Sequence, residues 1–275
     1  MQFMWRLNGM TQLNAFNKEN RKEPILEVRN VKKSFGAVKA IKKADLTLCS
    51  GEIHALVGGN GAGKSTLVSI ICGDTKADTG DIFIDGKKVK ISNPRVAQNH
   101  GIGTVHQNLA LVNQLDVTAN LFLGNEILMK PPFRWLGIMN LRKMRKQADD
   151  EIKNLKLNID SVDRIVDRMS GGQRQGIACA RAVRCDAKVL IMDEPTAALG
   201  VSETATVKAL MKRFRDAGAA ILLISHNMED VFELADKITV MRLGNSITTV
   251  HTKDVTPEQI VGLITGAVNN VQKDE

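Results

Sequence analysis

The chain has 275 residues, 43% of them hydrophobic, and a formal net charge of +8, which suits one large domain or two small ones with a real core. No segment approaches the roughly 20 apolar residues that cross a bilayer. The first ten residues mix Trp5, Arg6 and Asn8 with apolar side chains, so they lack the core of a secretory leader. We therefore expect a cytosolic protein whose link to any membrane is made through a partner.

The positive charge lies near the N-terminus, where residues 1–44 carry ten basic and three acidic side chains, a net +7. Such a run is usually a solvated face or arm. No aromatic residues interleave with it to stack bases, so nucleic acid is not expected as a partner. The chain also has four cysteines without a C-x-x-C pair, and we expect reduced thiols rather than disulfides or zinc.

In chain order, the pattern predicts a disordered arm over residues 1–23, one globular domain over 24–265 and a short tail over 266–275. A helical subdomain is expected as an insertion at about 110–183. The remaining strands alternate with helices, which favours an α/β fold with a mainly parallel sheet covered on both faces, preceded by an antiparallel β subdomain. No internal repeat of 20 to 50 residues is present.

Individual elements follow from periodicity and from turn and cap residues. The predicted strands are Ile53–Val57, two short strands within 82–89 joined at Asp85-Gly86, Ile102–His106, Lys188–Met192, Ala220–Ser225, Ile238–Leu243 and Ser246–Val250. The predicted helices are Thr66–Cys72, Pro94–Asn99, Val117–Leu123 after Asp116, Gly171–Arg184, Ser202–Ala217, Met228–Ala235 and one opening at Thr256-Pro257. A long helix is also expected after Asn140, with Leu141, Met144, Ala148, Ile152 and Leu155 on one apolar face.

A phosphate-binding loop of the form G-x-x-x-x-G-K-[ST] stands between the strand at 53–57 and the following helix. Its residues are Gly58, Gly59, Asn60, Gly61, Ala62, Gly63, Lys64, Ser65 and Thr66. Small residues let the backbone N–H groups surround an anion, and the helix N-terminus adds partial positive charge. We expect Lys64 to reach the β- and γ-phosphates and Ser65 to ligate Mg²⁺. A glycine-rich turn that matches by chance is the alternative, and the strand–loop–helix context disfavours it.

Two adjacent carboxylates, Asp193 and Glu194, follow the apolar run 189–192. A buried strand would deliver both at its carboxyl end, where open α/β sheets bind ligands. Asp193 is then the expected Mg²⁺ partner and Glu194 the group that polarises the attacking water. Two acids that merely solubilise a strand end are the alternative, which the phosphate loop makes less attractive.

A second anion site is indicated where Ser170, Gly171, Gly172 and Gln173 open a predicted helix. The chain has one phosphate loop, so two anion sites make sense if a nucleotide is held between two subunits. The simpler alternative is an N-capped helix with a flexible Ser-Gly-Gly entry.

Together and in this order, these motifs resemble the nucleotide-binding subunit of an ATP-binding cassette transporter over about residues 24–265. The resemblance implies that Lys64, Ser65 and Thr66 bind phosphate and Mg²⁺, and that Ser170–Gln173 close over the γ-phosphate on the opposite subunit. It further implies that Gln107 senses the Mg²⁺ and γ-phosphate site, that Glu194 is the catalytic base and that His226 contacts the γ-phosphate. Phe35 is the expected adenine-stacking residue because the chain has no tyrosine, with burial in the core as its alternative.

Three residues depart from the family pattern: Met169 stands where Leu is common, Phe35 where Tyr is common, and Gly200 where an aspartate usually aids communication across the dimer. The stretches 105–112, 116–124 and 170–181 resemble ATPases of ribose, xylose and fructose importers. Many of those carry two cassettes in one chain, whereas this one resembles the single-cassette, fructose-type members.

The resemblance implies an ATPase that uses ATP and Mg²⁺ to power a monosaccharide importer through closure and reopening of a dimer. Its implied partners are a second copy of the chain, an integral membrane permease contacted near residues 107–126 and, indirectly, an extracytoplasmic sugar-binding protein. Its expected place is the cytoplasmic face of the cell membrane, as a peripheral subunit. The alternatives are a soluble cassette ATPase acting on ribosomes or nucleic acid, a transporter ATPase for another substrate class, and a non-hydrolysing interaction module.

Overall fold

The computed structural model describes residues 24–105, 110–131, 133–184, 187–197 and 199–268. The predicted arm at 1–23 and most of the predicted tail lie outside the described residues. So do Gln107 and Cys185. Cys49, Cys72 and Cys179 are buried free thiols, as predicted.

Strands and helices alternate through most of this part of the chain. Its ten strands are β1 Pro24–Phe35, β2 Val38–Cys49, β3 Ile53–Gly58, β4 Thr79–Ile84, β5 Lys87–Val89, β6 Ile102–Val105, β7 Val189–Asp193, β8 Ala220–Ile224, β9 Lys237–Arg242 and β10 Asn245–His251. The α-helices of the same residues are α1 Lys64–Cys72, α2 Pro94–Asn99, α3 Val117–Phe122, α4 Leu141–Asn154, α5 Gly171–Val183, α6 Val201–Asp216, α7 Met228–Leu234 and α8 Pro257–Thr265. Short 3₁₀ turns occupy Phe133–Leu136, Val166–Arg168 and Thr252–Asp254. None of the helices in these ranges is long and apolar enough to span a membrane.

The strands form one mixed sheet in the order β5-β4-β1-β2-β10-β9-β3-β8-β7-β6. Strands β1, β2, β4 and β5 pair antiparallel at one side. Strands β9, β3, β8 and β7 pair parallel in the centre, where their residues are almost all buried. This confirms the predicted α/β class, because buried parallel strands read as continuous apolar runs.

The described residues divide into two compact units. The first unit consists of the described residues within 24–104, 187–194 and 211–268. It contains the sheet, and α1 packs into its core. The second unit consists of those within 105–184 and 195–210, and its core joins α3, α4 and α5.

Caps fix the helix starts in the second unit. Asp116 Oδ1 accepts from the Ala119 N–H over 2.7 Å, and Asn140 Oδ1 accepts from the Lys143 N–H over 3.0 Å. The predicted apolar face of α4 is buried at its centre. Leu141 is an exception. It is the first residue of the helix, lies outside the core and is 51% exposed.

Candidate functional site

The phosphate loop lies at the carboxyl end of central strand β3, between that strand and α1. Gly59, Asn60 and Gly61 form its exposed tip, and Ala62 is buried beneath them. The loop is braced from within by the Ala62 N–H, which donates to Gly59 O over 3.1 Å. It is also braced from the β9–β10 turn, where the Gly244 N–H donates to Ala62 O over 3.1 Å.

Two of its glycines are required by close backbone approach. A Cβ on Gly58 would overlap the Met241 carbonyl oxygen, and one on Gly63 would lie 2.8 Å from Ala40 O. Gly63 also has a φ of 103°, in the left-handed region that glycine adopts without strain. It is the N-cap of α1 and offers no side chain to the first-turn N–H groups. Those N–H groups therefore face the loop, as an anion site requires.

Lys64 folds its ammonium over the loop. Its Nζ donates to Gly58 O over 2.6 Å and to Gly59 O over 3.1 Å. Desolvation lowers the pKa of Lys64, while the charges of Glu194 and Asp193 act in the opposite direction. The ammonium therefore lies within electrostatic reach of both carboxylates, at the position where phosphate oxygens would meet a loop of N–H donors.

The register of the parallel strands brings the acidic pair to the same edge. Ile224 of β8 pairs in register with Leu56 of β3 on one side and with Asp193 of β7 on the other. The residues that follow these three strands therefore converge, as predicted for ligand sites of open α/β sheets. Asp193 ends its strand half-buried.

Glu194 has an unusual backbone conformation. Its φ is 50°, which is uncommon for a residue with a Cβ, and its N–H donates to Ile224 O over 2.9 Å. Such conformations cost about 1–3 kcal/mol and cluster at active sites. Its Oε1 accepts from His226 Nδ1 over 2.8 Å.

His226 lies in the short loop between β8 and α7. Ser225 Oγ accepts from the Asn227 N–H over 3.1 Å, and Asn227 Oδ1 accepts from the Glu229 N–H over 2.9 Å. These bonds fix the loop while the imidazole remains 78% exposed. The structure thus brings together Glu194, the predicted base, and His226, the predicted γ-phosphate contact.

Phe35 is at the end of β1 and is 51% exposed, so the alternative of burial in the core is wrong. The Lys33 ammonium lies 5.2 Å from the centre of its ring. Lys33 in turn pairs with Asp78 over 2.9 Å. The ring therefore presents an accessible aromatic surface in the first unit.

The Ser-Gly-Gly element belongs to the second unit and opens α5. Ser170 Oγ accepts from the Gln173 N–H over 3.3 Å, and Gln173 Oε1 accepts from the Ser170 N–H over 3.1 Å, a reciprocal capping box. Gln173 Nε2 also donates to Asn158 O over 2.6 Å. Met169 is buried in the core of this unit, consistent with a packing role for this departure from the family pattern.

Sequence reasoning missed one residue at this element. Glu203, in the first turn of α6, lies against Gly171 and Gly172 and accepts from the Gly200 N–H over 3.1 Å. Glu203 comes three residues after Gly200, and a glutamate at this spacing from the residue before a helix is a capping signal. The sequence could therefore have indicated that α6 begins at Val201.

The oxygen donors at the phosphate loop suit Mg²⁺. The Ser65 hydroxyl is exposed at the start of α1, and Asp193 lies near Lys64 at the same sheet edge. Within the described residues, no group of three or more His, Cys, Asp or Glu side chains is arranged to hold a metal ion. Mg²⁺ is commonly held by one or two protein oxygens together with substrate phosphates, and these two residues fit that pattern.

A strand–loop–helix anion site beside strand-end carboxylates defines a phosphate-loop nucleotide-binding protein. The profile of the ABC transporter family matches residues 41–197, and the chain belongs to this family. It is 45% identical to the Fructose import ATP-binding protein FrcA of Rhizobium meliloti, over 89% of this chain and 95% of that protein.

Two further similarities bear on length and fold. The Ribose import ATP-binding protein RbsA of Lacticaseibacillus paracasei is 41% identical over 86% of this chain, which spans 46% of that longer protein. A solved ATP-binding cassette, described as the dimeric structure of a post-hydrolysis state bound to ADP and Pi, is 25% identical. Its TM-score is 0.67, over 82% of this chain and 98% of the other.

Proposed function

We propose that this chain is the ATP-hydrolysing subunit of a membrane importer and that its cargo is a monosaccharide. Membership of the ABC transporter family supports the energy-coupling role. The names of the fructose and ribose import relatives support the cargo class. The single observation that carries hydrolysis, rather than binding alone, is the Glu194–His226 pair beside Lys64.

Phosphoryl transfer depends on positioning and charge neutralisation more than on covalent chemistry. In the proposed reaction, Lys64 and the N–H groups of residues 58–66 hold the phosphates. Glu194 accepts a hydrogen bond from the attacking water and takes its proton. His226 orients the Glu194 carboxylate through Nδ1 and contacts the γ-phosphate. Ser65, Asp193 and Gln107 would hold Mg²⁺, which would supply positive charge to neutralise the nucleotide phosphates.

The second half of each site is proposed to come from another copy of the chain. The capped start of α5 offers the Ser170 hydroxyl and the Gly171 and Gly172 N–H groups in one small region. These donors suit an anion. The similar cassette described as dimeric supports a second copy as partner. Adenine is proposed to stack on the exposed ring of Phe35.

The remaining partner is proposed to be an integral membrane permease. In the second unit, an antiparallel bridge between Leu128 and Met139 closes a segment that carries Trp135, 84% exposed, and Leu136, 74% exposed. Clustered exposed apolar side chains mark interaction sites. We propose that this 128–139 segment contacts the permease, in addition to the predicted contact region at 107–126. With such a partner, the proposed location of the protein is the cytoplasmic face of the membrane, as a peripheral subunit.

Copurification tests this proposal. The tagged full chain, expressed in its native cells and extracted in mild detergent, should bring down a multi-span membrane protein. Leu136→Ala should reduce that yield, whereas Leu243→Ala, which removes an equally exposed leucine in the first unit, should not. Capture of ribosomes or DNA without a membrane protein would favour the soluble cassette alternative and contradict the proposal.

A further inference from the structure

The side chain of Glu203 lies on the N-terminal end of α5. An ideal Cβ built on Gly171 would be 3.4 Å from Glu203 Oε2, and one built on Gly172 would be 3.0 Å from Glu203 Cβ. The Glu203 side chain is therefore packed along the two glycines that open the helix. All three residues belong to the second unit.

The Glu203 carboxylate accepts from the Gly200 N–H over 3.1 Å and lies beside the donor groups of residues 170–172. The N–H group of Gly200, that of Gly172, the Ser170 hydroxyl and the N–H of Gly171 hold the pKa of Glu203 below its usual range. An ionised carboxylate at a helix N-terminus is a stabilising arrangement. Three of these donors, those of residues 170–172, are the groups that the proposed function assigns to a γ-phosphate.

We propose that Glu203 is a built-in competitor for the Ser-Gly-Gly element: its carboxylate lies against Gly171 and Gly172 until the γ-phosphate of a nucleotide on a second copy displaces it. The inference rests on the proposed dimeric ATPase. Two anions cannot lie together at one helix N-terminus without strong repulsion, because both carry negative charge at contact distance. Dimer closure must therefore move the Glu203 side chain away from α5, which raises the ATP concentration needed for closure.

A purely structural role for Glu203 predicts something different. As a first-turn residue of α6 it caps that helix through the Gly200 N–H, and glutamine can serve the same capping function. Glu203→Gln therefore removes the charge while it keeps an oxygen acceptor. A residue that only caps α6 would leave ATP-dependent dimerisation unchanged by this substitution.

The test uses the full chain in a Glu194→Gln background, in which hydrolysis is blocked and ATP remains bound. Sedimentation velocity over a series of Mg²⁺-ATP concentrations measures the dimer fraction. The matched control is Glu258→Gln in the first turn of α8, in the first unit. Helix-end backbone and the Thr256 hydroxyl lower the pKa of Glu258 in the same way. Thermal melts of all variants without nucleotide check that each is folded.

We expect Glu203→Gln to lower the ATP concentration for half-maximal dimerisation by about threefold to tenfold, the scale of one removed charge contact. Glu258→Gln should leave that concentration unchanged. An unchanged or higher concentration for Glu203→Gln would overturn the competitor role and leave the dimeric ATPase intact. If Glu194→Gln alone forms no ATP-dependent dimer, the proposed function fails and the inference fails with it.

Discussion

Glu194 and His226 are joined by a hydrogen bond of 2.8 Å, from His226 Nδ1 to Glu194 Oε1, although 32 residues separate them in sequence. The parallel pairing of β7 with β8 creates this contact, since it places Asp193 level with Ile224. The Glu194 side chain is 17% exposed and that of His226 is 78% exposed. Because Oε1 of the mostly buried Glu194 carboxylate is bonded to His226, Oε2 is the oxygen left to accept a hydrogen bond from water.

The first prediction concerns this pair. Glu194→Gln should reduce steady-state phosphate release by about 10²- to 10⁴-fold, because the amide cannot take a proton from water. His226→Ala should also reduce turnover, by less, since Glu194 remains but loses its orientation. ATP binding, measured by thermal shift, should persist in both variants. Steady turnover that survives Glu194→Gln would contradict the assignment of the base.

A second prediction follows from the position of Lys64. Lys64→Met should abolish the rise in melting temperature that ATP produces, which for wild type at 100 times Kd corresponds to about 2.7 kcal/mol. Without nucleotide, the variant should be at least as stable as wild type, because burial disfavours the Lys64 ammonium. Lys253→Met, at an exposed residue, is the control. Retention of the full ATP shift by Lys64→Met would show that the ammonium does not hold phosphate.

A third prediction tests the backbone of the phosphate loop. Gly58→Ala should lower the free energy of unfolding by about 1–3 kcal/mol, because the new methyl group overlaps the fixed carbonyl of Met241. Gly59→Ala is the matched control, since no atom lies within 4 Å of its added Cβ. Its expected change is within about 0.5 kcal/mol. Urea denaturation without nucleotide measures both, and equal stabilities would show that the loop is not held against β9.

A fourth prediction concerns pH and the second unit. Burial raises the pKa of Glu151 to about 7, with the Arg184 guanidinium partly opposing it. Arg184 Nη1 donates to Glu151 Oε1 over 3.1 Å, while the buried Oε2 has no hydrogen-bond partner among the described residues. Because the folded pKa is raised above the usual 4.5, the protonated carboxyl stabilises the fold at low pH. That contribution is lost as pH rises through 7.

Glu151→Gln mimics the protonated carboxyl at every pH. It should therefore be more stable than wild type by about 1–2 kcal/mol at pH 8, a figure reduced for partial solvent exposure, and nearly equal to it at pH 5. Denaturation curves at both pH values measure the difference. A Glu151→Gln variant that is less stable than wild type at pH 8 would mean that the ion pair with Arg184 outweighs burial.

Local features of the fold were predictable from the sequence because their causes are local. Pro94–Asn99 has the predicted bounds, since Asn93 caps it and Pro94 occupies its first turn. The turn at Asp85-Gly86 joins β4 to β5 as predicted, with both residues at positive φ. The family membership was likewise predicted, because its motifs are short and lie in a fixed order.

Features that depend on distant residues were not predictable. Nothing in the sequence of β10 shows that it lies between β2 and β9, since strand order depends on pairing across the whole sheet. The contact of Glu203 with Gly171 and Gly172 likewise joins segments about 30 residues apart. The roles of the phosphate-loop residues, of Ser170–Gln173, of Gln107 and of Phe35 remain predictions.

The most direct measurement is a cryo-EM or crystal structure of the Glu194→Gln protein loaded with Mg²⁺-ATP. We expect two copies enclosing two nucleotides, with each γ-phosphate near Lys64 of one copy and hydrogen-bonded by Ser170 and Gly172 of the other. A nucleotide-loaded protein in which Ser170 lies far from every γ-phosphate would contradict the shared site.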